Sequence, residues 1–299
     1  MLPNAIAIAS RKGGVGKTSL CANLAGLAAA NGWRVLLVDL DPQGNLASDL
    51  GYGDDDANDA DQALADAVAA DETAVPLTDV RPGLDVVTGG DATEAMEEHV
   101  RRQLYRGDAS AIHAINDVVG PLAATYNLTV IDCPPAGGAL VDMALGAARF
   151  LVIPTRGDSA SLNGLARTAT RFMAARPSTN PATELLGVCL FGFGTQDTKL
   201  VAKARGQLEE ALNGIAPVFQ SFIRTSRKAP DDMRELGLLA HEYYQTAAAA
   251  PRWYENPDAP RYSVSAEGLA VDYQELSREI LTGFAAKSAD TATATSSAA

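Results

Sequence analysis

Short apolar runs recur along the chain, and most of them end in a turn or in an acidic residue. Ala5–Ser10 (AIAIAS) runs into a glycine-rich turn, the pattern of a buried strand feeding a loop. Lys17–Ala30 follows as a Leu- and Ala-rich helix closed by Asn31-Gly32, and Arg34–Asp39 (RVLLVD) is the next strand. Such a βαβ unit demands a parallel sheet with a right-handed crossover. Leu84–Thr88, Leu128–Asp132, Phe150–Pro154, Leu186–Phe191 and Val218–Ile223 continue the strand series. Their near-continuous apolar character suits strands covered on both faces. Helices are expected around 60–70, 93–104, 109–124, 138–148, 160–175 and 199–213, with a closing helix over Ala266–Ala285. The expected fold is one α/β domain over 1–285, a doubly wound and mostly parallel sheet flanked by helices. Gly53–Asp61 reads as a solvated loop, 249–263 (Pro251, Pro257, Pro260) as an irregular excursion, and 286–299 as a disordered tail of small residues.

Composition changes this picture little, but charge does. Hydrophobic residues make up 47% of the 299 positions and charged residues 20%, which is ordinary for a domain with a sizeable core. No apolar run approaches the ~20 residues that span a bilayer, and no basic-then-apolar leader opens the chain, so a cytoplasmic location is expected. The net charge of −13 is localised: Asp39–Glu98 holds 17 acidic residues against one basic residue, Arg81, leaving +3 for the remainder. A basic surface elsewhere is therefore compatible with an acidic total. Cys21, Cys133 and Cys189 lie far apart in apolar stretches and read as buried free thiols.

The candidate chemistry begins at Arg11-Lys12-Gly13-Gly14-Val15-Gly16-Lys17-Thr18-Ser19, between a strand and a helix. Glycines there let backbone N–H groups turn inward around phosphate oxygens, and the helix N-terminus adds partial positive charge. Lys17 supplies a point charge to the β- and γ-phosphates, and Thr18 a hydroxyl to Mg²⁺. Gly13, Gly14, Val15, Gly16, Lys17, Thr18 and Ser19 are thus the expected nucleotide contacts. A dinucleotide loop is disfavoured because Ser19 stands where GxGxxG needs its third glycine. Asp39 and Asp41 (VDLDPQGN) and Asp132 (VIDCPPAGG) fall at strand ends, where carboxylates reach Mg²⁺ or its waters beside such a loop.

KGGVGKT resembles the deviant Walker A motif of the ParA/MinD family of P-loop ATPases, and the two aspartate segments resemble that family's second and third motifs. The likeness continues through LVIPTRGDSASLNGL and AEGLAVDYQELSREI, and it is nearest to the ParA/Soj-like partitioning branch. It implies a P-loop NTPase fold, ATP and Mg²⁺ as ligands, and an ATP-bound homodimer. It assigns Lys12 to the partner's nucleotide across that dimer and Asp41 to orienting the attacking water. Asp132, supported by Asp39 and with Thr18, is assigned to the magnesium shell. Where the family often carries an Ile-Pro-Arg element near the base, this chain has Ile223-Arg224.

Three jobs use such a nucleotide cycle. A MinD-like membrane regulator is disfavoured by the tail ADTATATSSAA, which lacks bulky apolar residues and a basic face, so no stable membrane anchor is expected. An iron–sulfur relative is disfavoured because Cys133 stands alone and no CxxC occurs. DNA partitioning is left, with sequence-independent DNA binding in the ATP state, stimulation by a ParB-like partner and a nucleoid-associated location. No helix-turn-helix region precedes Ala5, so operator recognition is not expected. Between Lys199 and Arg234 seven basic residues face four acidic ones, and Arg224, Arg227 and Lys228 are the candidate phosphate contacts; Arg167 and Arg171 form a second, weaker pair. An ATPase switch that positions a protein complex is the alternative.

Overall fold

Alternate residues of the central strands pack on opposite sides of one sheet. In the computed structural model, which describes residues 1–53, 62–135, 137–156, 180–251, 256, 258 and 260–297, Ala5 and Ala7 join one core while Ile6 and Ile8 join the other. Leu36 and Val38 likewise part from Val35 and Leu37. Both faces are therefore dry, which is why the sequence shows apolar runs and not an alternating pattern. The strands are β1 (Leu2–Ile8), β2 (Val35–Asp39), β3 (Leu77–Arg81), β4 (Leu84–Val87), β5 (Leu128–Asp132), β6 (Ala148–Arg156), β7 (Glu184–Phe193) and β8 (Val218–Arg224). Their order is β3-β4-β2-β5-β1-β6-β7-β8, and every pairing is parallel except β3 with β4.

The described helices are α1 (Lys17–Ala30), α2 (Asn45–Leu50), α3 (Gln62–Ala70), α4 (Ala92–Tyr105), α5 (Ala114–Ala123), α6 (Ala139–Ala147), α7 (Thr198–Leu212), α8 (Lys228–Leu236), α9 (Ala240–Ala249) and α10 (Ala266–Ser297). Side chains of α3–α7 share one core, and those of α1, α2 and α8–α10 share the other. The doubly wound α/β architecture expected from the pattern is the one observed.

Several details differ. The stretch over 109–124 splits into a 3-10 turn at Ala109–His113 and α5. α2, α8 and α9 escape the pattern because they are short and packed mainly through their neighbours. β3 escapes it because an antiparallel edge strand has only one neighbour and its residues are mostly exposed or half-buried. Its signal was the Pro82-Gly83 turn: Gly83 has φ +80°, which a type II turn requires at its third position. α10 runs to Ser297, past the boundary expected at 285. Lys287 donates to Glu184 at 2.7 Å, which ties the helix to the start of β7 beyond that boundary. The helix expected over 160–175, Arg167, Arg171 and residues 54–61 lie outside the described residues.

Arg81, the one cation of the acidic stretch, is a structural clasp. Its Nη1 donates to the Leu50 carbonyl at 3.1 Å and its Nη2 to the Gly237 carbonyl at 2.8 Å, closing the C-terminal ends of α2 and α8. Its Nε donates to Glu242 of α9 at 2.7 Å. Burial alone would raise the Glu242 carboxyl, but the hydrogen bonds from Arg81 and from the Leu239 N–H outweigh it and hold the group below its usual range. A depressed carboxyl stabilises the fold fully above its unfolded value, near ~4.3, and loses that contribution as pH falls through the folded value. Arg81→Met is therefore expected to cost about 2–3 kcal/mol at pH 7, with the gap from wild type narrowing below pH ~4. Urea denaturation at the two pH values measures this, and a gap independent of pH would show that the Glu242 pair contributes nothing.

Candidate functional site

The site is built on the carboxyl ends of three adjacent strands. β1 pairs with β5 through Ile8 and Asp132, and β2 pairs with β5 through Asp39 and Asp132, so the two aspartates stand side by side next to the strand that feeds the loop. Both are fully buried. Open α/β sheets bind ligands at these strand ends, where crossovers on opposite sides leave a crevice.

From Ala9 the chain turns through the glycine loop into α1. Gly14 (φ +68°) and Gly16 (φ +82°) adopt the left-handed conformation, and Gly16 also lies against the Phe191 ring, where a Cβ would sit 2.5 Å from a ring carbon. Lys17 opens the helix with only 6% of its surface exposed. Its charge is thus held inside, beside the aspartates, instead of reaching into solvent. Thr18 and Ser19 follow in the first turn, both half-buried, as is Lys12 at the loop's start. No acidic residue occupies the first turn of α1, so its N-terminal N–H groups and partial charge face no carboxylate of their own.

The electrostatics of the aspartates are unusual. Burial, and then the charge of Asp132, pushes the Asp39 carboxyl well above its ordinary range. Burial likewise raises Asp132, against the pull of neighbouring Thr18, Cys21 and Lys17. Asp39 Oδ1 accepts the Asp41 N–H at 2.9 Å, yet Asp39 Oδ2 and both oxygens of Asp132 receive no hydrogen bond of sound geometry. Buried polar groups are almost always satisfied, so three orphaned carboxylate oxygens at one place make this a candidate cation site. Oxygen donors suit a hard divalent ion that takes one or two carboxylates, a hydroxyl and substrate phosphates. Among the described residues no cluster of three or more His, Cys, Asp or Glu could hold a metal ion alone.

Asp41 lies just beyond, 5% exposed, with its Oδ1 held by the Gln43 N–H at 3.1 Å. Gly44 (φ +56°) then starts α2. Gly89, after β4, packs so closely that a Cβ would fall 2.4 Å from the Asp39 carbonyl oxygen, so Asp39 keeps its place only while this position has no side chain.

Beside the loop lies a cavity of about 310 Å³ whose walls include Gly16, Arg156, Phe191, Thr225, Leu269 and Tyr273. That volume is at the lower end of small-ligand pockets. Phe191 and Tyr273 meet edge to face, with ring centroids 6.5 Å apart. Sequence reasoning missed these walls. Gly192 was the available signal, since a glycine within a strand pattern marks a bulge or a close approach; it has φ +82°, and the β7–β8 register shifts there.

Sequence reasoning also grouped Arg224, Arg227 and Lys228, and the structure separates them. Arg224 donates through Nε and Nη2 to Asp272 of α10 at 2.6 and 2.7 Å, so its charge is neutralised inside the wall of the cavity. Lys228 is exposed, donates to the Arg261 carbonyl at 2.5 Å and lies 3.3 Å from Asp232. Arg227 is exposed at the start of α8, and no ion pair involves it among the described residues. The three cysteines are buried and free, as expected. No helix among the described residues is long and apolar enough to cross a membrane.

Comparison with known proteins agrees with this fold. A family model described as an AAA domain matches residues 3–185. The chromosome partitioning protein ParA of Myxococcus xanthus is 33% identical over 213 residues, covering 69% of this chain and 72% of its own length. Among solved structures, apo McdA from Cyanothece superposes with a TM-score of 0.68 at 24% identity, over 81% of this chain and 94% of that one. The cell division ATPase MinD of Pyrococcus furiosus gives 0.66 at 20% identity, over 94% and 99%.

Asp132→Asn removes one member of a buried like-charged pair and offers Asp39 a donor. It is expected to stabilise the ligand-free protein by about 1 kcal/mol while lowering the Mg²⁺-dependent gain in nucleotide affinity at least ~10-fold. Thermal melting and calorimetric titration check the two halves. A destabilised variant would mean that the pair is satisfied within the protein.

Proposed function

The chain belongs to the ParA/MinD-type P-loop ATPases, and from that premise we propose that it hydrolyses ATP as a dimerising switch in DNA partitioning. The observation that carries this is one juxtaposition: a glycine loop with two left-handed residues, a buried Lys17, and the orphaned Asp39–Asp132 pair on the neighbouring strand ends. In this reading the backbone of Gly13–Gly16 and the first turn of α1, including Ser19, hold the phosphates. Lys17 neutralises the β- and γ-phosphate oxygens, and the aromatic cavity beside Gly16 takes the nucleoside. Thr18, Asp132 and Asp39 would hold magnesium, which would supply positive charge against the negative charge that develops during transfer. Asp41, fixed by the Gln43 N–H, orients the attacking water in line with the γ-phosphate. Lys12 reaches the nucleotide of a second copy and adds a cation to the transition state, so hydrolysis depends on the dimer.

Arg227 and Lys228 then supply a sequence-blind surface for DNA phosphates, with Arg224 in a supporting position. The relatives named as chromosome partitioning proteins favour this cargo, and the family resemblance implies a ParB-like stimulating partner. The location proposed is cytoplasmic and nucleoid-associated. Binding to nonspecific duplex DNA with ATP, with ADP and without nucleotide, across a salt series, tests the reading. Tight binding with ATP alone is expected, with log affinity falling linearly in log salt at about 0.9 per phosphate contact. Arg227→Ala should lower that slope by about one. No binding in any state, with ATP-driven dimerisation intact, would replace DNA by a protein complex as the cargo.

Lys12→Ala is expected to bind ATP nearly as wild type but to stay monomeric and lose at least ~10²-fold in turnover. Light scattering and phosphate release measure this, and normal turnover by the variant would refute the cross-dimer role.

A further inference from the structure

One buried carboxylate joins the glycine loop to the helix that follows the basic segment. Asp49, on α2, is 8% exposed. Its Oδ2 accepts from the Ser19 hydroxyl at 2.9 Å, and its Oδ1 accepts from Arg234 Nε of α8 at 2.8 Å. The same two helices are fused at their C-terminal ends. A Cβ on Gly237 would lie 2.4 Å from the Gly51 Cα, and Arg81 bonds to the carbonyls of both Leu50 and Gly237. α2 and α8 are therefore tied to one another at these ends. α2 begins four residues after Asp41, and α8 begins next to Arg227.

Ser19 has a second tie. Its carbonyl accepts from Asn23 Nδ2 at 2.8 Å, and Asn23 Oδ1 accepts the Ala240 N–H at the start of α9, 2.9 Å away. The residue after Thr18 is thus a hub for α1, α2, α8 and α9.

We propose that Asp49 is a positioning residue that transmits the state of the glycine loop to α8. This rests on the reading of Ser19 as a phosphate contact. A serine hydroxyl has one proton to donate. Directed at a phosphate oxygen, it is lost to Asp49, which keeps only Arg234. The incoming phosphate also repels a buried carboxylate so close to it. Both effects push the α2–α8 body away from the loop, carrying the segment after Asp41 and the start of α8 with it. In the ligand-free protein Arg234 and Ser19 compensate the carboxylate, so a phosphate that draws the Ser19 hydroxyl away removes one of its two side-chain partners.

The sign of the consequence is specific. Asp49→Asn keeps the shape and removes the charge. It should bind Mg-ATP at least as tightly as wild type, because the opposing anion is gone, yet transmit less to α8. Hydrogen exchange of the α8 amides, with and without Mg-ATP, reads this directly. Wild type should change its α8 exchange at least ~5-fold on binding, and Asp49→Asn should lose most of that change while its glycine loop remains protected. Arg234→Gln, altered at a side chain 48% exposed, should lose the α8 response without the gain in affinity. An unresponsive α8 in wild type, or a full response in both variants, would overturn the proposal. Duplex binding by wild type is scored separately, so failure to bind DNA would count against partitioning and leave the α8 result to decide the coupling.

Discussion

Two carboxylates forced together in a dry place govern this protein. Parallel register brings Asp39 and Asp132 to the same level on neighbouring strands, and the cores on both faces exclude the water that would screen them. A pair of that kind opposes folding unless a cation joins it. Lys17, drawn in from the first turn of α1, meets part of the need, and the orphaned oxygens show how much is left. The surrounding features follow: a glycine loop that keeps side chains out of the crevice, a Gly89 that lets the β4 end close on Asp39, and a helix start with no acid of its own. In the proposed reading, this unfavourable arrangement is relieved by a ligand that brings phosphate and a divalent ion together.

Much of this was legible in the sequence, for physical reasons. Strands buried on both faces write themselves as apolar runs, and their ends are marked by the acids at Asp39 and Asp132. The loop is legible because glycine adopts the left-handed conformations found at Gly14 and Gly16 without the steric penalty a side chain carries. Contacts made between distant segments were not legible. Nothing local distinguishes Asp49 from any polar residue of a short helix, and its role appears only when α1, α2 and α8 meet. Arg81 stood out as the lone cation of an acidic stretch, but its clasp needed three helix positions from elsewhere in the chain. Arg224 shows the reverse error: a cation placed in a basic run proved to be closed on Asp272, 48 residues away. Charge counted along a sequence does not separate compensated from available cations.

The two cores divide the labour. The one formed by α3–α7 is a scaffold beneath the sheet. The other holds the glycine-loop helix, the segment after Asp41, the aromatic cavity and α8 with its basic start at Arg227 and Lys228, with Arg81, Asn23 and Asp49 as its polar ties. In the proposed coupling, site and output lie on one face and are joined by short, packed elements.

The most direct test of the account is thermal unfolding with Mg²⁺ alone, ATP with chelator, and both together. If the buried aspartates are the cation site of a nucleotide pocket, each ligand alone should stabilise weakly and the pair far beyond their sum, because metal and phosphate complete one another's coordination. Equal stabilisation by ATP with and without Mg²⁺ would contradict it, and would mean that the aspartates do not take part in binding.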